Sequence, residues 1–164
     1  MISFGRLNAR LKNSITMTVM AVVVSITSAH ADDFTQCSES FYGGVYPEFI
    51  NTKLSNKTQA LCMDGFAVMY SGVSRTPLWS AEYLDRKRLQ QAKEIDREDS
   101  FHEESRLPKS ARASLSDYSG SGYDRGHLAP NADMANRSQQ YDSFSLANIC
   151  LLYTSDAADD GESV

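Results

Sequence analysis

Residues 15–28, ITMTVMAVVVSITS, form an apolar run without a single charge. Arg6, Arg10 and Lys12 precede it, and Ala29-His30-Ala31 follows as a small-x-small triplet. A basic start, a short apolar core and a small-residue cleavage site make a secretory signal. The run falls short of the roughly 20 residues of a membrane-spanning helix. Asp32-Asp33 suits a new N-terminus. Residues 1–31 are therefore read as a signal peptide, and no stable membrane association is expected after its removal. This feature constrains the fold most. Whatever the chain builds comes from the residues after Ala31, in a periplasmic or secreted setting that permits disulfides.

The 164 residues hold one domain at most. Of the cysteines, Cys37 and Cys62 lie in the body of the chain. Export predicts that they are bonded, the alternative being two buried thiols. No Cys-x-x-Cys or Cys/His zinc spacing occurs. His30 leaves with the signal, so His102 and His127 are the histidines that remain. The net charge of −5 grows more negative once the basic signal is gone. That excludes a generic basic nucleic-acid binder and leaves only local patches for polyanions. The patches are Asp85-Arg86-Lys87-Arg88 and Arg106 with Lys109 and Arg112, each expected to be a solvated face.

Residues 34–60 are polar and turn-rich. In CMDGFAVMYSG, Phe66, Val68 and Tyr70 alternate with Ala67 and Met69, which predicts a half-buried strand. TPLWSAEYL predicts a second strand in a hairpin with the first. DRKRLQQAKEIDRE is an exposed helical or irregular excursion, and residues 99–122 read as loop. A helix is expected from about Ser138, with Ser138 as its N-cap. Strand, strand, long connection and helix make an α+β chain rather than a βαβ alternation.

The long connection carries GSGYDRGHLAPNADM, residues 120–134. A histidine can act as a general base near neutral pH. An arginine two residues away can fork onto phosphate oxygens. Gly126 would let a bulky anion approach the backbone, and an aspartate can orient a ring or a guanidinium. Together these groups suit phosphodiester hydrolysis, with a divalent ion supplying the Lewis acid. Spacing alone leaves a solvated surface turn as the commoner explanation.

DRGHLAPNADM resembles the signature of the DNA/RNA non-specific endonucleases, the ββα-metal (His-Me finger) nucleases. TPLWSAEYL, SRLPKSARASLSDYSGSGYDRGHLAPNADM and SFSLANI occur in the order expected of bacterial members, from about residue 64 to Ile149. The resemblance implies an α+β ββα-metal fold with a mixed or antiparallel sheet and cleavage of DNA and RNA without base specificity. It also implies a divalent ion, Mg²⁺ or Mn²⁺. His127 matches the general base and Arg125 the phosphate-binding arginine, with Gly126 beside it at the substrate. Asp124 matches the acidic residue that opens the motif, with support of local geometry as its role. Asn148 matches the asparagine of a Ser-Asn-Ile stretch, with Ala147 in place of the serine, and is expected to sit behind the metal's own ligands. Leu128, Ala129 and Met134 are read as packing. His102 matches nothing catalytic and is expected on the surface.

After Ile149 the family pattern stops. The metal-binding asparagine and an accessory glutamate are expected beyond that point. Instead, the run Cys-Leu-Leu-Tyr-Thr-Ser-Asp-Ala-Ala-Asp is what one frame of a transposon-type sequencing-library adapter encodes. Residues 32–149 are thus read as the N-terminal part of an endonuclease domain, and residues 150–164 as adapter translation. The fold is expected to be incomplete at its C-terminus and the chain as written inactive. Two other readings remain: an inactive nuclease-like module that holds nucleic acid or protein, and a metal-free phosphodiesterase with His127 as nucleophile and His102 as the second histidine. A homodimer or an inhibitor protein is left open as a partner.

Overall fold

The computed structural model describes residues 33–152. The expected signal and most of the adapter-like stretch lie outside the described residues. Three strands, β1 (Thr58–Cys62), β2 (Phe66–Ser71) and β3 (Thr76–Glu82), form an antiparallel sheet in the order β1-β2-β3. Helix α1 (Arg86–Ala92) follows the sheet. A long connection with one short helix, α2 (Leu115–Tyr118), leads to β4 (Asp124–His127). Helix α3 (Arg137–Ser143) sits between β4 and β5 (Ile149–Leu152), and these last two strands pair antiparallel.

The alternation along β2 is the organising feature. Phe66, Val68 and Tyr70 face a core with Leu61, Met63, Leu107, Ala129, Met134 and Ala147. Ala67 and Met69 face the other way, into Phe34, Cys37, Phe41 and Ala60, with Trp79 and Tyr46 packed alongside. Successive side chains of a strand point to opposite sides, so both sets find cover. β2 is therefore buried along its whole length, not half-buried as its pattern suggests. An N-terminal cap of 3-10 turns, which leaves no periodic signal in the sequence, supplies the second layer.

The cap is tied down covalently. Cys37 and Cys62 form a disulfide between the first 3-10 turn and the end of β1. The bond spans 25 residues of sequence, a loop whose closure is worth about 3.5 kcal/mol in the chain-entropy account. β1 itself is silent in the sequence because Thr-Gln-Ala-Leu-Cys has no clean alternation. The β1–β2 turn needs Gly65, whose φ of +88° suits a residue without Cβ.

Helix ends follow local chemistry. Asp85 caps α1 by accepting from the Arg88 amide at 2.7 Å. Asn136, not Ser138, caps α3, because its backbone is extended and its side chain accepts from the Gln139 amide at 2.9 Å. The basic patches are solvated only in part: Arg86, Lys87 and Lys109 are exposed as expected, while Arg88 and Arg112 are partly buried and paired. The Arg88 side chain is only 14% exposed. Its guanidinium donates to the carbonyls of Gly65, Tyr83 and Asp133 and to the Glu82 carboxylate, so it ties the sheet to the C-terminal end of the motif. Arg106 donates to both oxygens of the buried Glu104, and Arg112 pairs with Glu103.

Two glutamates, Glu82 half-buried and Glu104 buried, consequently behave differently. Burial pushes Glu82 up to about 7, and Asp133 adds to this more than Arg88 relieves it. Burial also pushes on Glu104, but the Arg106 guanidinium and the Ser145 hydroxyl outweigh it and hold the carboxyl below its ordinary value.

Candidate active site

β4 presents the motif. Period-two alternation puts Arg125 and His127 on one face and Asp124 with Gly126 on the other. Facing residues in β5 are Leu151 for Arg125 and Ile149 for His127. Ile149 is fully buried against Ala113, Tyr118 and Leu146, with Phe101 alongside. The Tyr118 hydroxyl, its pKa pushed up to about 12 chiefly by burial, donates to the Ile149 carbonyl at 3.1 Å.

Two aromatic rings form the wall of this face. Phe101 and Phe144 meet edge to face with centroids 4.8 Å apart. The half-buried His127 ring packs edge-on to Phe144 at 4.9 Å and tilts over Phe101 at 5.7 Å. The Arg125 guanidinium lies 3.9 Å from the Phe101 centroid. A cation over a ring face gains about 0.5–1 kcal/mol at an exposed site, enough to bias the position of a long side chain. Arg97 does the same over Phe144, at 5.2 Å, with its Nε held by Asp99 at 2.7 Å. Two guanidinium groups therefore rest on the ring pair that packs the imidazole. Arg97, Phe101 and Phe144 carry no functional signal in the sequence. Arg97 is hidden in a mixed-charge run and the two phenylalanines lie far apart in the chain.

Asn148 fixes the backbone just after His127. Its side chain is fully buried. The amide oxygen accepts from Ala129 N at 2.9 Å, and the amide nitrogen donates to Ala129 O and Ser143 O at 2.9 and 3.0 Å. The Asn148 carbonyl accepts from Leu128 N at 2.9 Å. Ala129 and Met134 then enter the sheet's core.

Other expected residues fall elsewhere. Asp124 is exposed on the opposite face from Arg125 and His127. Gly126 is buried, and a Cβ there would lie 2.1 Å from Leu152 Cδ1. The space beside Gly126 is taken by Leu152. Leu152 belongs to the adapter-like stretch, so the fit is a property of the chain as written. His102 is half-buried, not a plain surface residue. Its ring stacks on Tyr141 and its Nδ1 bonds the Ser100 carbonyl at 2.8 Å.

The donors near His127 do not by themselves fit a divalent ion. Asn148 spends its amide on backbone groups, Asp124 lies on the far face, and Asp133 faces Glu82. Among the described residues no three His, Cys, Asp or Glu side chains gather as ligands.

Arg125 and His127 thus share one face of a two-stranded ribbon that contacts the antiparallel sheet. The family model for DNA/RNA non-specific endonucleases matches residues 48–150, and the chain belongs to that family. It is 42% identical over 88 residues to a mitochondrial nuclease of Saccharomyces cerevisiae, covering 52% of this chain and 26% of that protein. It is 38% identical over 87 residues to a nuclease of Syncephalastrum racemosum, covering 52% and 27%. Human mitochondrial endonuclease G is 33% identical over 97 residues, covering 58% and 32%. The chain thus spans about a quarter to a third of these relatives. The crystal structure of an EndoG/EndoGI complex superposes with a TM-score of 0.54 at 22% identity, covering 62% of this chain and 45% of that one. That likeness shows the fold: a ββα-metal nuclease fold of α+β class.

Proposed function

We propose that this chain is the N-terminal part of an exported, Mg²⁺- or Mn²⁺-dependent endonuclease that hydrolyses phosphodiester bonds of DNA and RNA without regard to base or sugar. The observation that carries the reading is the common face of Arg125 and His127 on β4, held against Phe101 and Phe144. His127 takes a proton from the attacking water. Arg125 forks onto the non-bridging phosphate oxygens, where negative charge accumulates. Arg97, at the other end of the ring pair, is a second phosphate contact. Asp124 supports the start of β4. Asn148 holds the backbone beyond His127 and so keeps the imidazole in place. A divalent ion, if bound, would supply Lewis acidity for the departing oxygen; the described residues near His127 do not by themselves form its ligand set.

The test is plasmid nicking in Mg²⁺, by the 164-residue chain and by a chain extended to the length of its relatives. The extended chain is expected to cleave, and the short one to be inactive. Robust metal-dependent cleavage by the short chain would put the ligands among the described residues, with Asn148 and Asp133 the first to reconsider. Failure of the extended chain on both DNA and RNA would remove the nuclease reading.

A further inference from the structure

Helix α3 carries an aromatic residue that burial does not account for. Tyr141 is 52% exposed, yet its ring lies flat on that of His102, with centroids 4.2 Å apart and planes 10° from parallel. The lower ring is fixed. His102 Nδ1 is bonded to the Ser100 carbonyl, and the His102 backbone is bracketed by the Phe144 carbonyl at 3.3 Å and the Leu146 amide at 2.8 Å. The upper ring stands on an Asn136-capped helix. A stack made only for packing would close over both rings, and this one leaves half of Tyr141 in solvent.

Its position relates it to the site. Phe101, next to His102 in sequence, lies under Arg125. Phe144, three residues beyond Tyr141, packs on His127 and lies under Arg97. The two phosphate-facing guanidiniums and the stacked pair thus rest on the same two short segments. Arg137, one turn before Tyr141, is partly neutralised by Glu98 at 3.5 Å, and Arg97 by Asp99 at 2.7 Å, so Arg125 leads the attraction for a polyanion here, with Arg97 in a supporting part.

We propose that Tyr141, backed by His102, is a stacking platform for an unpaired base of the nucleic-acid strand whose phosphates Arg97 and Arg125 hold. This rests on the nuclease reading and adds a preference for unstacked, single-stranded segments. Stacking suits an enzyme without base preference because every nucleobase presents a π face. A duplex keeps its bases inside and cannot use the platform.

The experiment measures fluorescence anisotropy of the 164-residue chain with labelled probes in EDTA, so that nothing is cleaved. The probes are a short oligothymidylate and an abasic strand of the same length and charge. The wild-type chain is expected to bind the base-bearing strand about tenfold more tightly. Tyr141→Ala is expected to erase that ratio while leaving abasic binding unchanged, and Tyr141→Phe to keep it. Equal wild-type binding of the two probes overturns the platform alone, and this comparison needs no variant. A ratio that survives in a folded Tyr141→Ala also overturns it. No binding of either probe overturns the nucleic-acid reading together with the platform.

Discussion

β2 and β4 are both short strands, yet different forces hold them. β2 has an apolar layer on each side, Phe66, Val68 and Tyr70 against one and Ala67 and Met69 against the other. β4 has exposed Asp124 and Arg125, a buried glycine and a half-buried histidine. It is kept in place by one partner strand, by cation–ring contacts, and by the Asn148 amide just beyond its end. The difference separates stability from chemistry. The ribbon must show polar groups to solvent, so its geometry is secured from behind by a buried amide.

The largest expected effect lies on the sheet. Phe66→Ala should cost about 3–5 kcal/mol, as for other buried phenylalanines, read as a lower midpoint in denaturant unfolding. A loss below about 1 kcal/mol would mean that the core beneath the motif is not as packed as its burial indicates.

The second effect depends on pH. The folded pKa of Glu82 is raised from 4.5 to about 7, mainly by burial. In the window between those values the unfolded chain gives up the proton first, so stability falls as pH rises, by up to about 3 kcal/mol. Glu82→Gln should flatten the stability curve between about pH 5 and 7. Glu104 acts in the opposite sense, and its contribution is lost only as pH falls below the ordinary carboxylate range. Parallel curves for wild type and Glu82→Gln across that window would show that the folded state ionises Glu82 as readily as the unfolded one.

On the ribbon, Asn148→Ala strands the Ala129 amide and two carbonyls. Each unpaired buried group costs about 1–3 kcal/mol when water cannot reach it, and some relaxation should hold the total to about 2–3 kcal/mol. In a chain extended to the length of its relatives, cleavage should fall further than the lost stability explains, because the backbone after His127 loosens. Activity that tracks only the folded fraction would make Asn148 a packing residue. The smallest stability effect belongs to Arg125→Lys, within about 0.5 kcal/mol as for other exposed positions. Its cleavage should still fall strongly, since an ammonium lacks the planar fork. Full activity in that variant would reduce Arg125 to a general positive charge.

Much of the scaffold is legible because burial writes itself as periodicity. The 66–70 alternation and the hairpin to TPLWSAEYL are both present. The cap is not legible, since 3-10 turns and a five-residue strand carry no period. The N-cap of α3 lies two residues before the expected Ser138 because Asn136 and Ser138 are both good caps, and backbone conformation decides between them. At the site, Arg125 and His127 lie together because two residues apart on a strand means one face. Arg97, Phe101 and Phe144 come from three separate stretches, and no local signal links a guanidinium to a ring 47 positions away in the chain. What fills the space beside Gly126 is a side chain of the other strand, Leu152, which no local pattern around the glycine announces.

In the proposed function His127 acts as the general base and is not needed for the ribbon to fold. The most direct test is His127→Ala in a chain extended to the length of its relatives, with plasmid cleavage in Mg²⁺ and denaturant unfolding measured on the same preparation. The predicted result is a fall in cleavage on the order of 10²–10⁴-fold, with the unfolding midpoint nearly unchanged. Cleavage at the parental rate, or a loss of cleavage that appears only with unfolding, would contradict it.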